Sequence, residues 1–220
     1  MTNRLTHNRS IVVIQTLLGR MRAMAIAGLL CAAGLARAAE PEAMILVAAP
    51  DLPDSNFARS VVLVTRTPVG EIIGVILNRP TGAPWPRNLR PSAQASTRRM
   101  HFGGPLIPRA TFAVGAAPGA VADTLDLGDG LRFAVGLKNM QSLADAGGPD
   151  GDLKLFNGYA GWGPGQLEEE IAAGVWRVRP VSAEIVFDPA PGTQWERLTA
   201  LQRAVQAAPP MRLATGSAWP

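Results

Sequence analysis

At 220 residues, with 17% charged and 47% apolar side chains, the chain has the length of one ordinary domain and is too apolar for a disordered one. Its formal charge of +4 comes from the front end: Arg4, Arg9, Arg20, Arg22 and Arg37 all precede the first acidic residue, Glu40, and beyond residue 38 there are 16 basic against 17 acidic residues. A near-neutral body with two lysines, Lys138 and Lys154, argues against the phosphate-neutralising surface that nucleic-acid binding needs.

The chain opens with the three parts of a secretory signal. Arg20 and Arg22 precede a 14-residue apolar run, Ala23 to Ala36, and Ala36-Arg37-Ala38 forms an A-x-A cleavage pattern. The run is short of the roughly 20 residues a membrane span needs, although Ile11 to Leu18 is also apolar and leaves a retained anchor as the alternative. Leu30 before Cys31 does not suit a lipoprotein site. Cleavage would remove the single cysteine, and with it disulfides, thiol catalysis and thiolate metal sites. The expectation is an export signal over residues 1–38 and a periplasmic or secreted product that meets the membrane only through its leader. Translation from Met44 would instead leave a cytoplasmic protein.

Nineteen prolines and 23 glycines predict many turns and short elements. Met44 to Ala49 reads as a buried strand. Ser60 to Arg66 and Ile72 to Leu77, separated by a turn, read as a β-hairpin. Gly74 within it suggests a bulge or a close neighbour. Asn78 to Ser92 carries Pro80, Pro84, Pro86 and Pro91 and reads as irregular, with Trp85 as a lid or a packed loop residue. Short strands follow at Met100 to Phe102, Thr111 to Gly115 and Leu131 to Val135. Asn139 to Ala146 reads as a helix. Leu153 to Phe156 is a strand running into Gly158-Tyr159-Ala160-Gly161-Trp162-Gly163-Pro164-Gly165. A helix over Gln166 to Ala173 follows, with Leu167 and Ile171 as its core stripe, Pro164 at its entry and Gly174 at its end. Val175 to Val178 is a strand, and Gln194 to Val205 a last helix. The domain is placed at residues 39–206 and a disordered tail at 207–220.

Four blocks of this sequence resemble the YqgE/AlgH family: MILVAAPDLPDSNFARSVVLVT, GVILNRPTG, HFGGPL, and GYAGWGPGQLEEEI followed by W and FD. Together they cover Met44 to Asp188. The resemblance implies an α+β fold: one compact domain with a mixed, partly barrel-like β-sheet flanked by helices. It implies no settled activity. The family is largely uncharacterised, and one branch has been called a transcriptional regulator of exopolysaccharide synthesis. Ser55 stands here in place of a usual proline, Thr65-Arg66 where a histidine often follows the second strand, and Val114-Gly115 where Leu-His is usual. Members normally lack an export leader, and a periplasmic copy could not act on the chromosome.

A glycine-rich loop before a helix can hold an anion, but Glu168, Glu169 and Glu170 would repel a phosphate and no P-loop lysine follows. The loop is either a set of tight turns that make room for Trp162, or a place for a neutral or cationic ligand beside Trp162, Gln166 and Glu168. Arg59 and Asn78 stand at strand ends, where they either line a cleft or close turns, with Arg59 pairing a carboxylate such as Asp54. Gly103 and Gly104 can offer N–H groups to an anion, which Pro105 cannot, or they mark a bent strand end. His101 is the one histidine beyond the leader. It could complete a triad with Asp51 or Asp54 and Ser60, but no G-x-S-x-G elbow is present and a surface or buried histidine is favoured. One histidine is too few for zinc, and Asp123, Asp126 and Asp129 lack the calcium-loop spacing and read as solvated turns. No catalytic residue, metal or cofactor is assigned. The reading is a non-enzymatic domain that binds a small ligand or a protein partner through Arg59, Asn78, Gly103, Gly104, Trp162, Gln166 and Glu168. The alternatives are a transcriptional regulator or a hydrolase of unrecognised type that uses carboxylates.

Overall fold

The computed structural model describes residues 43–86, 89, 99–147 and 152–207, with side chains to Leu201. The leader, Cys31 and the tail beyond residue 207 lie outside the described residues. The strands are β1 (Ala43–Ala48), β2 (Val61–Arg66), β3 (Ile72–Ile76), β4 (Pro80–Pro84), β5 (Arg99–Phe102), β6 (Leu106–Ala116), β7 (Thr124–Gly128), β8 (Leu131–Val135), β9 (Leu153–Trp162) and β10 (Trp176–Arg179). The helices are α1 (Leu137–Ala146), α2 (Gln166–Ala172), α3 (Ala183–Val186) and α4 (Gln194–Ala207).

These strands make one curled, half-barrel sheet in the order β10-β1-β2-β3-β9-β6-β8-β7, with β4 and β5 off the main path. All pairings are antiparallel except β5 with β9. The sheet is therefore mixed, and with its helices it gives the single α+β domain expected.

The first three strands read as near-continuous β-branched and aliphatic runs because both of their faces are covered. Val61, Val62, Leu63 and Val64 are all buried, as are Ile45, Leu46 and Val47. They belong to a large core that also takes in Phe112, Val114, Phe133, Phe156, Trp162, Trp176 and Trp195. A second core lies under α1, where Met140 and Leu143 pack with Trp85, Met100, Leu153 and Leu155. Trp85 is thus a packed residue. Gly115 belongs to this second layer: a Cβ there would stand 2.9 Å from Leu143 Cγ and 2.9 Å from Leu153 Cδ1. A histidine at that position would have to displace α1.

Strand β9 organises the sheet. One of its edges carries β6, while β3 and β5 share the other. Where β3 hands over to β5, two backbones cross at glycines. Gly103 N–H donates to Asn157 O at 2.8 Å, and Ile76 N–H donates to Gly103 O at 2.9 Å. A Cβ on Gly103 would lie 2.3 Å from Gly158 O, one on Gly104 2.3 Å from Tyr159 O, and one on Gly158, whose φ is +71°, 2.3 Å from Gly104 O. Backbone on both sides leaves nothing that can give way. The HFGGPL and GYAGWG blocks are therefore the two halves of one chain crossing. Gly103 spends its N–H and carbonyl groups within it, and Gly104 lies against the Tyr159 backbone, as at a bent strand end.

Several elements depart from the expected boundaries. Strand β9 continues to Trp162, past the point where glycines were expected to end it. Strand β6 is eleven residues long, because an irregular stretch between Leu106 and Thr111 is carried within it. Of the three aspartates read as solvated turns, Asp123 and Asp129 do stand in exposed turns, with Asp129 accepting from Ala183 N–H at 2.7 Å, while Asp126 lies within strand β7 and pairs with Arg132 at 3.1 Å. Strand β4 forms within the proline-rich stretch, in register with β5 at Pro80 and Pro84, while the Thr81 hydroxyl donates to Met100 O at 2.9 Å.

Candidate functional site

The seven candidate residues fall in two groups at opposite ends of β3. Trp162 pairs with Ile72 at the start of that strand, and Asn78 follows its end. Six residue steps, from Ile72 to Asn78, separate them by about 20 Å of extended chain.

At the far end, Asn78 ties two strands and a turn together. Its Oδ1 accepts from Val61 N–H at 2.9 Å and its Nδ2 donates to Arg59 O at 2.9 Å. Arg79 donates to Ala58 O at 2.9 Å, and its own carbonyl accepts from Phe102 N–H at 2.8 Å. Burial pulls the Arg79 guanidinium below its ordinary value, with Asp54 acting in the opposite sense. Asp54 accepts from Asn56 N–H at 2.7 Å, closing a local turn. Arg59 has a positive φ of 57°, pairs with Glu196 of α4 and not with Asp54, and lies 5.1 Å over the Trp195 ring. From the glycine crossing beside this group, β6 emerges in an irregular stretch, Ile107 to Ala110, between its pairings at Leu106 and Thr111. Ile107 has φ +40° and is 61% exposed. A β-branched residue there is strained, at a cost of about 1–3 kcal/mol.

At the other end, α2 forms over a Gln-Leu-Glu-Glu-Glu-Ile run and closes with Gly174 at φ +77°. Gly174 N–H bonds Ile171 O at 3.0 Å and Val175 N–H bonds Glu170 O at 2.9 Å, the paired closure a left-handed glycine allows. Glu170 lies on the buried face. Its Oε2 accepts from the indoles of Trp162 at 2.9 Å and Trp176 at 2.7 Å, and its Oε1 accepts from Gln166 at 2.8 Å. Gln166 in turn accepts from Gly163 N–H at 3.0 Å. Trp162 and Gln166 thus converge on a residue that was grouped with the first-turn glutamates. The signal for it was present: Gln166 and Glu170 are four apart and share a helix face with Leu167. Glu168 points away, half-exposed, 3.8 Å from Arg66. Trp162 also packs on Gly74, where a Cβ would lie 3.1 Å from its ring.

His101, on β5, is buried with its ring 5.5 Å from that of Phe156. Burial, and then the Lys154 ammonium, push it down to about 4. Its Nδ1 and the buried Oγ of Ser60 both lack a hydrogen-bond partner, so the two are not bonded to each other. Lys154 Nζ is likewise enclosed without a partner, and burial brings the amine down to about 8 against the pull of Asp188 and Asp152. Among the described residues no group of three or more histidine, cysteine or acidic side chains could hold a metal, and no helix is long and apolar enough to cross a membrane.

Residues 45–206 match the model of the AlgH-like family DUF179. The chain belongs to that family. It is 35% identical over 163 residues to a UPF0301 protein of Methylococcus capsulatus, covering 72% of this chain and 89% of the relative. It is 36% identical over 167 residues to a UPF0301 protein of Streptomyces avermitilis, covering 72% and 85%. Among solved structures it is similar to the AlgH protein from Pseudomonas aeruginosa (TM-score 0.58, 25% identity, 87% of this chain and 100% of that one). It is also similar to protein DIP2367 from Corynebacterium diphtheriae (TM-score 0.57, 27% identity, 72% and 85%). The four sequence blocks that suggested this family are thus the strands, the glycine crossing and the Glu170 network of an AlgH-like domain.

Proposed function

We propose that this AlgH-like protein is exported and acts as a non-catalytic binding domain, engaging a small ligand or a protein partner at the end of the sheet that carries Arg59, Asn78, Gly103 and Gly104. The observation that carries the reading is Ile107. A strained β-branched residue stands 61% exposed on the irregular stretch of β6 that leaves the glycine crossing. Leaving such a side chain in water while holding its backbone in a costly conformation suits a surface that is completed by binding. Asn78 holds backbone in place, and His101 and Ser60, the residues a triad would need, are buried and not hydrogen-bonded to each other.

Export is read by fractionating cells that express the full chain with a carboxyl-terminal tag. A shortened form in the periplasm or medium is expected, and full-length protein confined to the cytosol would refute it. Binding is read by mass spectrometry of material co-purifying with the chain and with Ile107→Ser, which should lose it. A substrate screen tests the non-catalytic part: turnover that disappears in Glu168→Gln would overturn it.

A further inference from the structure

Strand β10 stands at the end of the strand order, with β1 on one side and no described strand on the other. It carries Arg177 and Arg179, two residues apart and therefore on the same face, with their Cα atoms about 7 Å from each other. Both guanidiniums are half-buried, and among the described residues neither forms an ion pair. Arg179 makes one hydrogen bond, to Leu198 O of α4 at 3.0 Å, which places this face under that helix. Arg177 NH1 and Arg179 Nε are enclosed and unpartnered. The next residue of α4, Thr199, is 2% exposed, and its Oγ1 also lacks a partner. Guanidinium donors left unmade in a half-dry place are costly, and a carboxylate would be the usual remedy. Here two planar forks and a hydroxyl stand with no acid paired to them among the described residues.

We propose that Arg177, Arg179 and Thr199 form an oxyanion site for the phosphate group of a small ligand. Two forks at this spacing can each give paired N–H donors to one tetrahedral anion, as guanidinium does and ammonium cannot. The site lies on β10, away from Ile107 of β6, and stands independently of the function proposed above.

The test uses the full chain and inorganic phosphate. Melting is followed at pH 7.5 in sodium phosphate and in sodium chloride of equal ionic strength. Phosphate should raise the midpoint over chloride, since a ligand of the native state stabilises by mass action. Arg177→Gln and Arg179→Gln should each weaken the apparent phosphate affinity at least tenfold, while Arg66→Gln, a surface arginine paired with Glu168, should leave it unchanged. Equal midpoints in the two salts, or a phosphate effect that survives both substitutions, would overturn the site. If either variant fails to fold, broadening of the phosphorus resonance by the unmodified chain decides: broadening relieved by sulfate supports the site, and an unbroadened line rejects it. None of these outcomes touches the fractionation or the Ile107→Ser capture.

Discussion

Lys154→Met should make the protein more stable at neutral pH. The amine is drawn down from 10.5 to about 8, chiefly by burial. At pH 7 it is still charged, so the folded state carries the cost of holding an ammonium where water has been removed. At about 1.4 kcal/mol per pH unit the displacement corresponds to about 3 kcal/mol. The sign follows from linkage. Between pH 8 and 10.5 the unfolded lysine holds its proton and the folded one releases it, so stability rises with pH across that window and the penalty stands in full below it. Methionine fills the aliphatic path of the side chain without the charge. The pull of Asp188 and Asp152 is already contained in that displacement, and the side chain is only half-buried, which lowers the expected gain to about 1–3 kcal/mol. The assay is urea unfolding of both proteins at pH 7.5 and 10.5. The variant should lead at pH 7.5, and the difference should shrink at pH 10.5. A variant less stable at pH 7.5, or a difference indifferent to pH, would refute the argument from burial.

Gly158→Ala should cost more than about 3 kcal/mol, because its Cβ would meet the Gly104 carbonyl at 2.3 Å in a left-handed conformation, whereas Gly82→Ala, with open space around it, should be near neutral by the same denaturation measurement. Glu170→Ala should cost about 3 kcal/mol or more by stranding two indole N–H groups, and Glu170→Gln less; tryptophan fluorescence should shift in both. His101 titrates near 4 when folded and near 6.5 when unfolded, so the unfolded state takes up its proton first and stability should fall as pH drops from 6.5 towards 4. His101→Gln should flatten that limb of the acid unfolding curve.

The hairpin of β2 and β3 was legible because its burial on both faces leaves β-branched residues in unbroken runs, and α2 because its apolar spacing, its entry and Gly174 agree. Strand β4 was not, since its prolines obey edge pairing and little else. The true length of β9 was hidden by its glycines, which ordinarily weaken a strand and here permit a crossing visible only once Gly103 and Gly104 are placed against them. Glu170 was missed because three consecutive glutamates look alike on paper, and only the helix phase separates the one facing two indoles from the two facing water. Arg177 and Arg179 read as ordinary alternation on a short strand. Nothing in the sequence says that the face they share lies under α4.

The placement of β9 between β3 and β6 governs when this chain can fold. A ribosome releasing residues in order delivers β3, β5 and β6 well before the strand that joins them, and β10, which flanks β1, later still. The β1-β2-β3 meander and the β6-β8-β7 strands can pair as they emerge, but the two halves of the sheet stay unjoined until β9 follows. The complete sheet, and the large core that spans both of its halves, therefore waits for the last third of the chain to be made.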